Sequence, residues 1–206
     1  MSFNTIPEMF LHVTDTYGSD RPAFMYKNAG DEDYRSLPHA ELREKVEAFA
    51  IGLLNLGIRS KDRIGIVSEN RIEWIIADLA IAAIGAVSVP IFPILTAKQE
   101  EYIFTDCGVA AIIVSNDFQM GKVLKFKENL STLRHVFVFN KDFNKDIDLA
   151  VKSMDYIINR GLELKSPEER RNLFEEHARR VQEDALLTLI YTSGTTGDPK
   201  GVMLTH

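Results

Sequence analysis

Short runs of β-branched and apolar residues recur along this chain, each separated from the next by a stretch long enough for a helix. They occupy positions 63–68, 87–91, 110–115, 135–139 and 186–191. Runs that are apolar without alternation belong to strands covered on both faces. Strands joined through helices cannot be hairpin partners, so the connections are crossovers and the strands lie parallel. The sequence therefore predicts an α/β fold, a mostly parallel sheet with helices on both faces.

The intervening segments carry their own boundary signals. A helix over 7–17 ends at Gly18, and a hairpin follows in which 23–27 and 34–36 flank a turn, with Asp31, Glu32 and Asp33 solvated at its tip. A helix over 38–56 places Leu42, Val46, Phe49, Leu53 and Leu56 on one stripe and stops at Gly57. Helices over 71–84, after Thr96, and through 122–129 complete the crossovers, with Thr96 and Gln99 forming a capping box. The stretch 140–184 is polar and charged and reads as a helical surface insertion. Gly161 marks the end of one helix in it, and Ser166, Pro167 and Glu169 the start of another.

One segment imitates a membrane span, because 74–95 holds a single charge, Asp78. Its apolar residues are spaced for a helix up to Gly85 and then alternate, and Pro90 and Pro93 forbid a continuous helix. A buried helix feeding a buried strand is the expectation. The first seventeen residues lack a basic start followed by an apolar run, so no secretory signal is expected and the predicted location is cytoplasmic. A formal net charge of -6 argues against a nucleic-acid partner. Cys107 is the sole cysteine, which excludes an intrachain disulfide and suits a small buried hydrophobe.

The chemistry concentrates in Tyr191-Thr-Ser-Gly-Thr-Thr-Gly-Asp-Pro-Lys200-Gly-Val-Met-Leu-Thr-His206, directly after the last apolar run. Gly194 and Gly197 allow a tight turn that aims backbone N–H groups at an anion. Thr192, Ser193, Thr195 and Thr196 add hydroxyls, and Lys200 adds a mobile positive charge suited to phosphate. The spacing differs from a Walker A loop, whose Gly-Lys pair opens a helix. Here Pro199 precedes the lysine and residues 201–204 read as a strand, so the loop joins two strands. An ordinary surface hairpin would also use Gly, Ser, Thr and Pro, but ten residues in so particular an order speak against that account.

The stretch 191–201 resembles the signature loop of the adenylate-forming superfamily, which includes acyl-CoA synthetases, luciferases and the adenylation domains of peptide synthetases. Residues 62–74 (Asp-Arg-Ile-Gly-Ile-Val-Ser-Glu-Asn-Arg-Ile-Glu-Trp), 78–80, 85–93 and 184–206 are similar to the N-terminal region of its long-chain fatty acyl-CoA synthetase branch. The resemblance implies an AMP-forming fatty acid–CoA ligase with ATP, magnesium carried by ATP, and coenzyme A as partners. It implies that Tyr191, Thr192, Ser193, Gly194, Thr195, Thr196, Gly197 and Lys200 bind the nucleotide phosphates. Residues 1–206 would then be a partial N-terminal domain, without the later glutamate motif or the C-terminal lid, and inactive alone. A different carboxylic acid, or a nucleotide-binding module without chemistry, stays open at this level, as does the oligomeric state.

Other residues invite plainer accounts. Trp74 lies on an apolar helix and suits packing, and His206 has no paired carboxylate in view. Glu69, Asn70 and Arg71 could line a cleft at the sheet's carboxyl edge, although helix capping by Asn70 is simpler. Lys122, Lys125 and Lys127 with Phe126 offer a peripheral contact with acidic lipid, against the simpler alternative of a solvated helix face. No cluster of His, Cys and carboxylates has metal-ligand spacing. The apolar strand 202–204 is expected to be exposed and prone to association.

Overall fold

The computed structural model describes residues 3–27, 30–145, 148, 150–192 and 198–206. Its elements run α1 (Ile6–Tyr17), β1 (Pro22–Tyr26), β2 (Arg35–Pro38), α2 (His39–Asn55), β3 (Arg63–Val67), α3 (Ile72–Ala83), β4 (Val87–Ile91), α4 (Ala97–Cys107), β5 (Ala111–Val114), α5 (Asp117–Val123), β6 (His135–Val138), β7 (Lys152–Ser153), α6 (Met154–Leu164), α7 (Pro167–Arg180), β8 (Leu186–Thr192) and β9 (Lys200–Thr205). The hairpin β1–β2 stands apart, and the other strands form one sheet in the order β7-β6-β5-β3-β4-β8-β9. Pairing is parallel from β7 to β8 and antiparallel only between β8 and β9. The α/β architecture expected from the apolar runs is the one observed.

Side chains alternate across each strand, and the two faces fill different cores. From β5, Ala111 and Ile113 enter a core closed by α1, α2, α3, α6 and α7. Ile112 and Val114 enter a second core closed by α4 and α5. The capping boxes of α4 (Thr96 with Gln99) and α7 (Ser166 with Glu169) are both formed. The membrane-like segment resolves into α3 and β4, and among the described residues no helix is long and apolar enough to cross a membrane.

The segment 140–184 is built into the body rather than laid on it. β7 extends the sheet beyond β6. α6 turns Met154, Ile157 and Gly161 inward, at helical spacing, against α2. The two helices meet backbone to backbone: a Cβ on Gly161 would stand 1.9 Å from the Ala48 carbonyl oxygen, and one on Gly52 would stand 2.3 Å from that of Ile157. Gly161 is therefore inside the helix, not at its end. Most of the segment's polarity lies on its outer faces, while Arg170, which is buried, and Glu175, which meets Arg43, turn inward.

A charge cluster around the buried Arg43 ties α7 to the same body. Arg43, 3% exposed, donates to Asp15 Oδ1 on α1 (2.5 Å), to Glu47 Oε1 on α2 (2.7 Å) and to Glu175 Oε1 on α7 (2.5 Å). α2 consequently buries a polar face as well as the expected apolar stripe. Cys107, at the end of α4, is half-buried. Burial pushes its thiol up to about 12, with Asp106 adding to the shift and Arg63 opposing it.

Because backbone lies where the added methyl would go, Gly161→Ala should destabilise the fold by about 1–3 kcal/mol. For a domain of this size that is roughly a 2–12 °C fall in melting temperature. Thermal unfolding followed by circular dichroism checks it, with Gly121→Ala, whose added Cβ meets nothing within 4 Å, as the control.

Candidate functional site

In a parallel sheet all carboxyl ends share one edge, and ligands of open α/β sheets bind there, where the strand order reverses. In this chain β4 lies on one side of β3 and β5 on the other. The loops after β3, β4 and β5 therefore border a common cleft. The loop after β8 leaves at the same edge, since β8 runs parallel to β4 through the pair Ser88 and Thr188 and the Thr188 hydroxyl donates to the Ser88 carbonyl at 2.9 Å.

The signature loop hangs between β8 and β9. Thr192 pairs with Lys200 and Tyr191 with Gly201, so the two strands close its neck as a hairpin. Lys200 and Thr192 are exposed, and among the described residues Lys200 carries no ion pair. Ser193, Gly194, Thr195, Thr196 and Gly197, expected to line the phosphate site, lie outside the described residues. Tyr191 turns its hydroxyl to Asp106 on α4 and donates to Oδ2 at 2.5 Å. Burial and that hydrogen bond hold the phenol well above its ordinary pKa.

Two cavities open along this edge, one of them against the hairpin. One, of about 210 Å³, lies against Trp74, Ile103, Ile190 and Tyr191, with Ser68 and Asn70 at its polar wall. Trp74 thus both packs on the core and lines a cavity. The other, of about 620 Å³, lies at the point of strand reversal, lined by Glu69, Pro93, Ile94, Leu95, Phe118 and Lys122. Asn70 does not cap α3; Arg71 occupies that position, without a side-chain cap bond. A third cavity, of about 690 Å³, sits away from the edge, between α1, α2 and α7. Its walls carry the Arg43 cluster, whose charges satisfy one another, so the sheet edge is the better candidate site.

The basic stretch expected on one helix is dismantled. α5 ends at Val123, Lys127 begins a separate 3-10 turn, and Phe126 is 2% exposed. Lys127 bonds Asp148 at 2.5 Å. Lys122 is buried; its ammonium donates to Glu100 and to the carbonyls of Pro93 (3.1 Å) and Leu95 (2.8 Å). Gln119 donates to the Pro93 carbonyl as well, at 3.1 Å. These groups serve as a clamp on the loop after β4 instead of a lipid-facing surface. Burial raises the Glu100 carboxyl while Lys122 pulls it down, and the net direction is upward. Sequence spacing gave no sign of this pair, 22 residues apart.

A family model described as AMP-binding enzyme matches residues 10–206. The chain belongs to the AMP-binding enzyme family. Among curated members, the long-chain-fatty-acid–CoA ligase heimdall of Drosophila melanogaster is 30% identical over 204 residues, 98% of this chain and 30% of the relative. The long-chain-fatty-acid–CoA ligase FadD15 of Mycobacterium tuberculosis is 31% identical over 203 residues, 98% of this chain and 31% of the relative. The chloroplastic long-chain-fatty-acid–[acyl-carrier-protein] ligase AEE15 of Arabidopsis thaliana is 26% identical over 209 residues, 99% of this chain and 28% of the relative. The chain spans about a third of the length of the curated AMP-binding relatives it matches. Among solved AMP-binding structures, the acetoacetyl-CoA synthetase from Streptomyces lividans superposes with a TM-score of 0.80 at 24% identity, over 98% of this chain and 30% of that one. The anthranilate CoA ligase AuaEII gives 0.77 at 20%, over 98% of this chain and 34% of that one. At those identities the superpositions speak for the AMP-binding fold.

Removing Lys122 leaves the buried Glu100 carboxylate and two carbonyls without their donor. Breaking a buried pair from one side costs about 3–5 kcal/mol. Lys122→Met should therefore lower chemical-denaturation stability by that amount, while Lys125→Met, at a neighbouring lysine outside the clamp, leaves it within about 0.5 kcal/mol.

Proposed function

We propose that the polypeptide containing these residues activates a long-chain fatty acid with ATP and passes the acyl group to a thiol, coenzyme A being the acceptor. The reading rests on the placement of Lys200, an exposed ammonium unengaged by any described carboxylate, at the neck of the signature loop on the ligand-binding edge of the sheet. The names of the relatives at 30% and 31% identity support the acid and the acceptor. The acyl-carrier-protein ligase among the relatives keeps a carrier-protein thiol as the rival acceptor.

The reaction needs charge to be held as it moves. A carboxylate oxygen attacks the α-phosphorus of ATP, and the bond to pyrophosphate breaks. A thiolate sulfur then attacks the acyl carbon and AMP leaves. Tyr191, Thr192, Ser193, Gly194, Thr195, Thr196, Gly197 and Lys200 form the proposed phosphate-binding segment. In this proposal Lys200 and the Thr192 hydroxyl bind the β- and γ-phosphates, and the intervening amides and hydroxyls orient the α-phosphate for in-line attack. Magnesium, delivered with the nucleotide, would neutralise part of the phosphate charge. Residues 1–206 are proposed as the N-terminal part of the AMP-binding domain. The complete reaction is assigned to a polypeptide that adds the portion its relatives carry beyond the match.

In that full-length polypeptide, Lys200→Ala should lower ATP–pyrophosphate exchange by about 10²–10³-fold, the loss seen when one preorganised donor is removed. Its melting temperature should stay unchanged. Exchange at the wild-type rate would remove the assignment. Running the exchange on palmitate, octanoate, coumarate and amino acids identifies the acid, and a preference for anything other than palmitate overturns the long-chain reading. Nucleotide binding without exchange on any acid would make the protein a binding module.

A further inference from the structure

Tyr191 lies at the neck of the signature loop, yet its hydroxyl is spent on Asp106, a residue of α4 that is 85 positions away in sequence. We propose that Asp106, acting through Tyr191, is a positioning residue that fixes where the neck formed by Thr192 and Lys200 stands against the sheet. The inference rests on the ligase reading above and extends it to a residue outside the signature.

The hairpin needs such a brace. β8 is joined to β4 in register through Ser88 and Thr188, near the end of β8 remote from the loop. β9 is exposed along its whole length, with Met203 at 72%. Beyond that pair β8 is held by packing, with Leu189 buried and Tyr191 half-buried against the core under α4 and α5, and no further described strand pair on that side sets the angle of the neck. The Tyr191–Asp106 bond adds a directional tie from that end to α4. It is an O–H···O contact to a carboxylate and short at 2.5 Å, the stronger kind of hydrogen bond.

The ring itself is held in place from the other strand. Tyr191 faces Gly201 across the hairpin, and a Cβ on Gly201 would stand 3.1 Å from Tyr191 Cζ and 3.3 Å from its Cε2 and Oη. The ring thus lies against the Gly201 backbone, with its hydroxyl directed to α4. A side chain at 201 would push the tyrosine ring aside by a few tenths of an ångström. Lys200 is the next residue along β9 and pairs with Thr192, so moving the ring moves the neck that carries the ammonium.

Asp106 is exposed, so the bond adds little to global stability. Its effect falls on geometry. A phosphate-binding group displaced by about 1 Å can lose roughly 10²-fold in rate, whereas the acid site should not register the shift.

The test is the kinetics of the full-length polypeptide carrying Tyr191→Phe, Asp106→Ala, Asp106→Asn or the Tyr191→Phe/Asp106→Ala pair. Tyr191→Phe keeps the ring against Gly201 and removes only the donor. The expected result is a 3–10-fold rise in KM for ATP in Tyr191→Phe and Asp106→Ala, with KM for the fatty acid and the melting temperature unchanged. Asp106→Asn, whose amide oxygen still accepts from the phenol, should restore most of the loss, and the double variant should be no worse than the worse single one. Wild-type KM for ATP in Tyr191→Phe, additive losses in the double variant, or a fall in melting temperature with both KM values shifted would overturn the inference. If the wild-type enzyme itself catalyses no ATP–pyrophosphate exchange, the ligase reading falls and this one with it. An active wild type with insensitive variants removes only the role of Asp106.

Discussion

β3 is paired in parallel with β4 on one side and β5 on the other, so after β4 the chain must cross back over β3 to begin the second half of the sheet. That reversal opens a gap between successive loops, because the connections after β3 and β5 leave toward opposite faces. It also aligns the carboxyl ends of β3, β4, β5, β6 and β8. The cavities at Trp74 and at Lys122 and the neck of the signature loop share that edge because of the pairing around one central strand.

Sequence patterns reveal an element when the force that forms it is local. β4 is observed at the predicted positions, and the capping boxes at Thr96 and Ser166 are formed, because apolar runs and caps act over a few residues. Patterns fail where long-range packing decides. Composition makes 140–184 look peripheral, yet α6 buries three residues at helical spacing and approaches α2 through two glycines. Lys122 resembles a solvated residue in sequence and is a buried clamp, because its partners Glu100, Pro93 and Leu95 come from another crossover. The site is legible in the same uneven way. The strand pair predicted to flank the signature loop is formed, but the bond that turns Tyr191 toward Asp106 crosses 85 positions and has no sequence signal.

The two buried cations show different uses of one principle. Burying a charge is costly unless it is paired and hydrogen-bonded. Arg43 distributes its planar guanidinium over carboxylates from three helices, a geometry that suits arginine. Lys122 places a compact ammonium among two carbonyls and one carboxylate, which suits the turn after β4. The first unites helices on one face of the sheet. The second shapes a loop at its ligand-binding edge.

Cys107 stands next in sequence to Asp106, at the foot of the brace, and its thiol is pushed up to about 12. A thiol held protonated in this way is a poor nucleophile. The residue that the sequence marks as the chain's sole thiol is thereby kept unreactive toward alkylating and oxidising agents.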